Sequence, residues 1–361
     1  MRQSHRLMEM LDIDLPIILA PMAGNSTVEL TASVSNAGGL GSHACAMLSR
    51  EQVIQDASRL RTLTNRSFNL NFFCHAPPGD TTAQERAWRE ALAPYNRELG
   101  VDPDQPPPPP RRPFDESYCE AVLGIAPKAT SFHFGMPHAH LVHRLKDAGI
   151  VILCSATSVA EARHIVDLGA DAVIAQGVEA GGHRGLFLSH DRDIANQVGT
   201  MALVPQVVDA VNVPVIAAGG IADARGVAAA FALGASAVQV GTAYLRCPEA
   251  KVSAPHRAAL AAARDDSTVL TTLYSGRPAR GIVNRLIREL GPMNEIAPPF
   301  PTASNALGPL RAEAEKRGSG DFSPLWAGQA AALAKETSAA ALTRDLAAGA
   351  REVLAALGRS V

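Results

Sequence analysis

The chain has 361 residues, of which 47% are hydrophobic, and its formal net charge is −2. This composition is that of an ordinary globular protein with one large domain or two. There is no basic stripe interleaved with aromatic residues, so the sequence argues against a nucleic-acid-binding protein.

The first residues carry charges of both signs and lack the apolar region of a signal peptide. No apolar run reaches the length of a membrane span, so no membrane partner is expected. The five cysteines are scattered and form no CxxC pair, which favours reduced thiols. We therefore expect a cytoplasmic protein, and the sequence leaves a monomer and a homodimer equally open.

The first part of the chain predicts three strands and two helices, followed by an interruption. Apolar runs at 15–22, 39–43 and 67–73 predict strands, helical spacing occupies 27–37, and residues 49–52 form a capping box. The pattern then breaks into a Pro-rich insertion over about 76–127, whose five prolines at 106–110 are typical of polyproline II. We expect a stiff surface excursion, and an insertion of this length after a strand often covers an active site.

Regular alternation returns after residue 128. Apolar runs at 130–134, 150–154, 172–175, 215–218 and 237–240 predict strands four to eight, with helices at 138–148 and 159–168 between the earlier ones. Strands that alternate with helices indicate parallel βα units. A count of eight, without GxGxxG after the first strand, favours an α/β fold of the (β/α)8 TIM-barrel type over an open Rossmann sheet.

The regular alternation of strands and helices ends beyond residue 246. The sequence predicts a helix at 254–264, a loop leading into a helix at 275–290, loops over 292–320 and helical structure over 321–357. We therefore expect a barrel domain made of 1–75 and 128–246 with C-terminal helices at 321–361. The insertion at 76–127 and residues 247–320 would form a smaller substrate or cap domain.

Two consecutive βα turns between 213 and 245 carry glycine where backbone N–H groups could face a ligand. These are Gly219 with Gly220, and Gly241 followed by Thr242, a possible hydroxyl donor. Glycine lets the backbone approach a ligand closely, and a helix N-terminus favours an anion. Phosphate in TIM barrels commonly lies after strands seven and eight, which favours a phosphate site over simple tight turns. Asp223 is the predicted N-cap of the helix that follows.

Amide side chains and histidines stand where barrel chemistry is expected, at the carboxyl ends of the strands. Asn69, Gln176 and Gln239 each donate and accept hydrogen bonds, as a flat heteroaromatic such as an isoalloxazine requires, although they could also satisfy buried polar groups. His133 ends strand four in an apolar setting and is a candidate base or hydrogen-bond donor, or else a core residue. His183 lies in a glycine-rich loop and could contact phosphate or substrate.

A metal site is not predicted. The histidines at 138, 140 and 143 lie on a predicted helix, but no carboxylate accompanies them as in an HExxH motif. The sequence also lacks a GxSxG elbow and a paired-carboxylate arrangement.

Seven motifs give the chain a resemblance to class I nitronate monooxygenases, the family formerly called 2-nitropropane dioxygenases. They are PIILAPMAG (16–24), FNLNFFCHAPP (68–78), SFHFGMP (131–137), AQGVEAGGHRG (175–185), AAGGIAD (217–223), QVGTAYL (239–245) and SGRPARGIVN (275–284). The second and third are the most specific, whereas the last two barrel motifs also occur in other FMN barrels.

The resemblance implies an FMN-containing TIM barrel that oxidises alkyl nitronates, such as propionate 3-nitronate, with O2. The products would be carbonyl compounds and nitrite, formed through a flavin semiquinone. His133 matches the family's catalytic histidine, and we expect it to position the nitro group and to deprotonate neutral nitroalkanes. His183 and Ser275 are expected to contact the substrate as well. The implied cofactor contacts are Pro21, Met22, Asn69, Gln176, Gly181, Gly182, Ala218, Gly219, Gly220, Gln239, Val240, Gly241 and Thr242.

Three other functions are compatible with some of the same sequence features. The nearest is an FMN-dependent NAD(P)H:quinone or enoyl reductase on the same barrel. An enzyme similar to inosine-monophosphate dehydrogenase would require a nucleophilic cysteine in the loop after strand six, and that loop has none. A flavin-free protein that senses a phosphorylated ligand is the third.

Overall fold

The computed structural model describes residues 2–103, 105, 111–189 and 194–360. The five prolines at 106–110, predicted to form polyproline II, lie outside these ranges. Within the described part of the chain no helix has both the length and the apolar character needed to cross a membrane.

The strands fall into a large parallel sheet and a small antiparallel one. In chain order they are β1 (Ile17–Leu19), β2 (Gly41–Ala44), β3 (Phe68–Phe73), β4 (Ala129–His133), β5 (Val151–Ala156), β6 (Ala172–Gln176), β7 (Gly182–His183), β8 (Val215–Ala218), β9 (Ala237–Val240), β10 (Thr268–Thr271) and β11 (Ala279–Ile282). All except β7, β10 and β11 pair in parallel, in the order β1-β9-β8-β6-β5-β4-β3-β2.

The large sheet closes on itself. Leu19 N donates to Leu40 O at 2.9 Å, and Leu40 N donates to Ile17 O at 2.9 Å, so the chain just before β2 pairs with β1. Closure removes both sheet edges and creates one mouth at the carboxyl ends of the strands. The prediction of a (β/α)8 TIM barrel is confirmed.

Thirteen α-helices are seen in the described residues. They are α1 (Arg2–Leu11), α2 (Val28–Asn36), α3 (Arg50–Leu63), α4 (Thr82–Leu99), α5 (Glu116–Ile125), α6 (Ala139–Asp147), α7 (Val159–Asp167), α8 (Thr200–Ala210), α9 (Ala224–Ala232), α10 (Ala254–Ala261), α11 (Arg285–Leu290), α12 (Ala303–Lys316) and α13 (Ala339–Ser360). Two 3-10 helices cover Thr242–Arg246 and Ala331–Leu333. The predicted capping box is present at Ser49, and Asp223 caps α9 as predicted.

The helix α1 closes the end of the barrel opposite the mouth. Its Leu7 and Leu11 are fully buried and join a cluster with inward-facing strand residues such as Ile18 and Val151. Burying each leucine contributes about 1.5–3 kcal/mol. The side chains of these described residues fill this end of the barrel.

The antiparallel sheet and the helices α4 and α12 form a cap over the mouth of the barrel. The order of this cap sheet is β10-β11-β7, so β7, which follows the barrel strand β6, belongs to the cap. Helix α4 packs against α12, and Trp88 Nε1 donates to Ala303 O at 3.0 Å to join the two. Helix α5 instead packs against α3 and α6, in the ring of barrel helices, and α13 packs on α9 and α2.

Several expectations outside the barrel are wrong. The region 292–320 contains α12, the Pro-rich insertion contains α4 and α5, and residues 275–290 contain β11 before the predicted helix. Between 321 and 338 the helical part is only Ala331–Leu333. The reason for α12 is tertiary: Leu307 and Leu310 are buried in the cap core, and this packing outweighs Gly308 and Pro309, which indicate a loop when taken alone.

Candidate functional site

A cavity of about 630 Å³ opens at the carboxyl ends of the barrel strands, beneath the cap. Most of the residues predicted to form the site line it. These are Pro21, Met22, His133, Gln176, Gly181, Gly182, His183, Ala218, Gly219, Gly220, Gln239, Gly241, Thr242 and Ser275. A parallel barrel brings these sequence-distant strand ends together because all its strands point the same way.

Asn69 and Val240 do not line the cavity. Asn69 lies one layer deeper in the barrel, where its Nδ2 donates to Ser42 Oγ at 3.0 Å and to Ser131 Oγ at 2.9 Å. Its neighbour on the same face of β3, Asn71, lines the cavity instead. The side chain of Val240 points the opposite way from Gln239 and is buried between β9 and the helices. The FNLNFF motif holds both asparagines on one face of the strand, and the one nearer the carboxyl end of β3 is the one that lines the cavity.

His133 ends β4 and is oriented by two hydrogen bonds. Its Nδ1 lies 2.7 Å from Ser155 Oγ, and its Nε2 lies 3.2 Å from the carbonyl oxygen of His183. A carbonyl oxygen only accepts, so Nε2 carries the hydrogen and Nδ1 accepts from the Ser155 hydroxyl. The strand ends here because Phe134 and Gly135 adopt φ of 69° and 95°, in the left-handed region.

Burial determines the charge of this histidine. Removal from water lowers the pKa of His133 to about 3, and the nearby Arg277 and Arg184 charges add to the effect. Burial also holds the pKa of His183 well below its ordinary value. Both imidazoles are therefore neutral at physiological pH and serve as hydrogen-bonding groups.

Aromatic rings form an apolar wall around this pair. Phe134 lies 4.5 Å from the His133 ring and Phe300 lies 5.5 Å from the His183 ring, measured between centroids. Phe73 contacts both histidines. The His183 Nε2 lies 2.8 Å from Ser275 Oγ, which ties the loop after β6 to the cap. This end of the cavity is therefore apolar, with a small number of fixed polar groups, as small-molecule sites usually are.

Gln176 lines the cavity, but its amide is occupied by its own loop. Its Oε1 accepts from Arg184 at 3.0 Å and from Gly185 N at 2.8 Å, and its Nε2 donates to His183 O at 2.9 Å. The fully buried Arg184 also donates to Gln197 Oε1 and to the Gly177 carbonyl. Sequence reasoning missed Arg184, although a charged residue inside a glycine-rich loop after a strand is a recognisable signal.

The two glycine turns line the cavity and carry backbone N–H groups without an acceptor in the described structure. Gly219 and Gly220 adopt φ of 112° and 70°, and within the described ranges no acceptor takes the backbone N–H of Gly219, Gly220 or Gly241. The N-terminus of α9 does not share this role, because Asp223 already accepts from Arg225 N at 2.9 Å and Gly226 N at 3.4 Å. The available donors are thus the glycine turns themselves.

Gln239 supplies an acceptor that lacks a donor. Its Oε1 is buried and makes no hydrogen bond in the described structure. Buried polar atoms are almost always hydrogen-bonded, so this oxygen fits a bound group that donates one. Thr242 Oγ1 accepts from Gly328 N at 2.9 Å, which leaves its hydroxyl hydrogen able to donate. Free backbone donors at the glycine turns beside an amide acceptor could serve a ligand that joins an anionic group to a hydrogen-bonding ring.

Glu179 is a further residue that sequence reasoning missed. Its carboxylate accepts from Thr200 N at 2.9 Å at the start of α8 and from Thr200 Oγ1 at 2.9 Å. A carboxylate there satisfies unpaired helix N–H groups and the helix dipole. Glu179 therefore fixes the loop after β6 beside the glycine turns, and α8 offers no anion site of its own.

The comparisons with known proteins agree with one another. The family model for nitronate monooxygenase matches residues 4–349. A nitronate monooxygenase of Pseudomonas aeruginosa is 44% identical over 344 residues, which cover 94% of this chain and 97% of that protein. Among solved structures, a nitroalkane oxidase from Streptomyces ansochromogenes has a TM-score of 0.88 and 38% identity, and the match covers 97% of this chain and 99% of that one.

A second structure with a lower score is FabK from Thermotoga maritima, with a TM-score of 0.76 and 28% identity over 99% of each chain. The resemblance carried by the seven motifs is confirmed by the family match, which extends over almost the whole chain. This chain therefore belongs to the nitronate monooxygenase family of oxidoreductases.

Proposed function

We propose that this protein is an FMN-dependent nitronate monooxygenase, which oxidises alkyl nitronates of the propionate 3-nitronate type with O2 to carbonyl compounds and nitrite. The observation that carries the proposal is His133, a half-buried and neutral N–H donor beside Phe73 and Phe134. The same cavity offers unpaired backbone donors at its glycine turns and the acceptor Gln239 Oε1.

The residues that would hold FMN divide by chemistry. The N–H groups of the two glycine turns and the Thr242 hydroxyl suit the phosphate. Gln239 and Asn71 suit the hydrogen-bonding edge of the ring system, and Met22 offers it an apolar contact. When bound, FMN supplies the electron-accepting chemistry that protein side chains lack.

His133 would bind and orient the nitronate. The substrate is an anion, and the Nε2 hydrogen of His133 could donate to one of its oxygen atoms in place of the His183 carbonyl. The aromatic wall excludes water, and a hydrogen bond in such surroundings is stronger than one in solvent. Ser155 keeps the hydrogen on Nε2 by donating to Nδ1.

The expected second role of His133, deprotonation of neutral nitroalkanes, finds less support in this geometry. The pKa of about 3 and the occupied Nδ1 lone pair make this imidazole a weak base. We therefore favour substrates that arrive as nitronates, with His133 as a donor.

We also propose a division of the chain into two structural units. The barrel unit would consist of 1–75, 128–246 and the helices within 321–361, and the smaller substrate unit of 76–127 and 247–320. The packing of α5 on α3 and α6 favours placing that helix with the barrel unit.

The test is an absorption spectrum of the purified protein, followed by anaerobic mixing with propionate 3-nitronate and, separately, with NADH. We expect a flavin spectrum that changes with the nitronate and not with NADH, and flavin released on denaturation should be FMN. Reduction by NADH without a response to the nitronate would favour the reductase alternative. A colourless protein that binds no added FMN would refute the cofactor.

A further inference from the structure

The lining of the cavity has an excess of positive charge. It includes the cations Arg111, Lys251 and Arg311 but only one carboxylate, that of Glu315. That carboxylate already forms an ion pair, since Arg311 Nε lies 2.9 Å from Glu315 Oε1. Within the described ranges neither Arg111 nor Lys251 forms an ion pair.

Arg111 differs from the other two cations in its exposure. Lys251 and Arg311 are exposed, whereas Arg111 is half-buried. Burial lowers the pKa of Arg111, and the neighbouring charge of Arg311 lowers it further. An arginine remains protonated at neutral pH under such conditions, so Arg111 is a half-buried cation without a carboxylate partner among the described residues.

Arg111 borders the same cavity as His133 and His183. Its charge contributes to the lowered pKa of His183, as well as to that of His75, which burial lowers to about 4. Arg111, His133 and His183 therefore border one space in which a substrate could lie.

An unpaired cation withdrawn from water is unfavourable unless a ligand supplies the opposite charge. The guanidinium fork matches a carboxylate with two parallel hydrogen bonds. We propose that Arg111 binds a carboxylate at the end of the substrate remote from the nitronate carbon. The enzyme would thereby select carboxylated nitronates over nitronates with an uncharged tail, an inference that rests on the proposed function.

The test compares two nitronates of similar length in the FMN-loaded enzyme and in Arg111→Gln. These are propionate 3-nitronate and butyl 1-nitronate, which share the reacting group and differ in the tail carboxylate. We expect the variant to raise KM for propionate 3-nitronate about 10- to 100-fold, the range for a lost hydrogen bond to a charged group, with little change for butyl 1-nitronate. Arg111→Lys, which keeps the charge without the fork, should raise KM less.

Arg112→Gln is the matched control. Arg112 is the next residue, pairs with Asp115 at the surface and is not part of the cavity lining. We expect this variant to behave like the wild type towards both nitronates. An equal loss on both substrates in Arg111→Gln, or no loss on either, would overturn the proposed anchor.

A binding measurement tests the contact between Arg111 and the carboxylate independently of the proposed oxidation. Calorimetric titration with 3-nitropropionate and with 1-nitrobutane at neutral pH requires no turnover, and only the first carries a carboxylate. If Arg111→Gln binds 3-nitropropionate more weakly but binds 1-nitrobutane as the wild type does, the carboxylate contact is supported. This holds even if the wild type oxidises neither nitronate; that failure would refute only the proposed function. Loss of NADH binding with unchanged 3-nitropropionate binding would assign Arg111 to a dinucleotide phosphate and overturn the proposal.

Discussion

Gly181, in the loop after β6, and Gly328, in the segment after the cap sheet, touch backbone to backbone. A Cβ atom on Gly181 would lie 2.6 Å from the amide nitrogen of Gly328, closer than any real Cβ contact. Hydrogen bonds hold the contact: Gly328 N donates to Thr242 Oγ1 at 2.9 Å, and Gln329 N donates to Glu179 O at 3.0 Å. The loop after β6, the turn at Thr242 and the segment at 328–329 are thereby joined beside the cavity.

The first prediction follows from this contact. Gly181→Ala must push the segment at 327–328 away from Thr242, because the backbone atoms of Ala327 and Gly328 leave no space for a methyl group. We expect the Kd for FMN, measured by flavin fluorescence on reconstitution, to rise about tenfold or more, equivalent to about 1.4 kcal/mol. Gly124→Ala in α5 is the control: a Cβ there meets nothing within 4 Å, so FMN binding should be unchanged. Wild-type affinity in Gly181→Ala would contradict the role of this contact.

The second prediction concerns the two asparagines of β3. Asn71→Ala should raise the Kd for FMN about tenfold, since Asn71 lines the cavity. Asn69→Ala should leave FMN affinity intact but lower the free energy of unfolding by about 1–3 kcal/mol, because it breaks a buried network with Ser42 and Ser131. Asn71 Nδ2 also donates to Ser131 Oγ at 2.9 Å, so both variants should be less stable, and fluorescence titration of FMN is the measurement that distinguishes them. The reverse pattern would restore Asn69 as the cofactor contact.

The third prediction concerns the hydrogen bond between Ser155 and His133. Ser155→Ala leaves Nδ1 without its donor, so the imidazole can exchange its tautomer and lose the Nε2 hydrogen that we assign to the substrate. We expect kcat/KM for propionate 3-nitronate to fall about tenfold, with a change of tautomer in the 15N NMR spectrum of labelled histidine. Ser42→Ala, which affects a serine outside the cavity lining, should not change the His133 signal. Unchanged tautomer and kinetics would refute the positioning role.

The fourth prediction is a loss of stability in mild acid. The pKa of His133 is about 3 in the folded protein, against about 6.5 in the unfolded chain. Between these values the unfolded chain binds a proton that the folded chain does not, so stability rises with pH and is lost as the pH falls below about 6.5. His75 and His256, each with a pKa lowered to about 4, act in the same direction.

The measurement is urea denaturation at pH 7.5 and pH 5.5, in the wild type and in His133→Asn. Each such histidine contributes about 1.4 kcal/mol per pH unit within its window, so the variant should lose about 1 kcal/mol less than the wild type. His138→Asn, at an exposed position, should follow the wild type. An equal loss in all three proteins would show that His133 does not titrate as its burial implies.

The sequence by itself was sufficient for the barrel and for most of the predicted residues that line its cavity. Strands such as β8 and β9 are short apolar runs bounded by glycine, and parallel strands place their carboxyl ends together, so motif order alone brings His133, Gln239 and the glycine turns to one mouth. The apolar runs and glycines are local features of the sequence, and the common direction of parallel strands is a general rule of topology. Neither depends on which side chains are in contact in the folded protein.

Only the tertiary structure decided how these groups are used. Helix α12 forms despite Gly308 and Pro309 because its leucines are buried in the cap core. The amide of Gln176 is taken by Arg184 and its own loop, and Asn71 rather than Asn69 reaches the cavity. Burial and hydrogen-bond partners are long-range properties, set by chain segments far apart in sequence. The charge of His133 depends on them as well, and local sequence does not encode it.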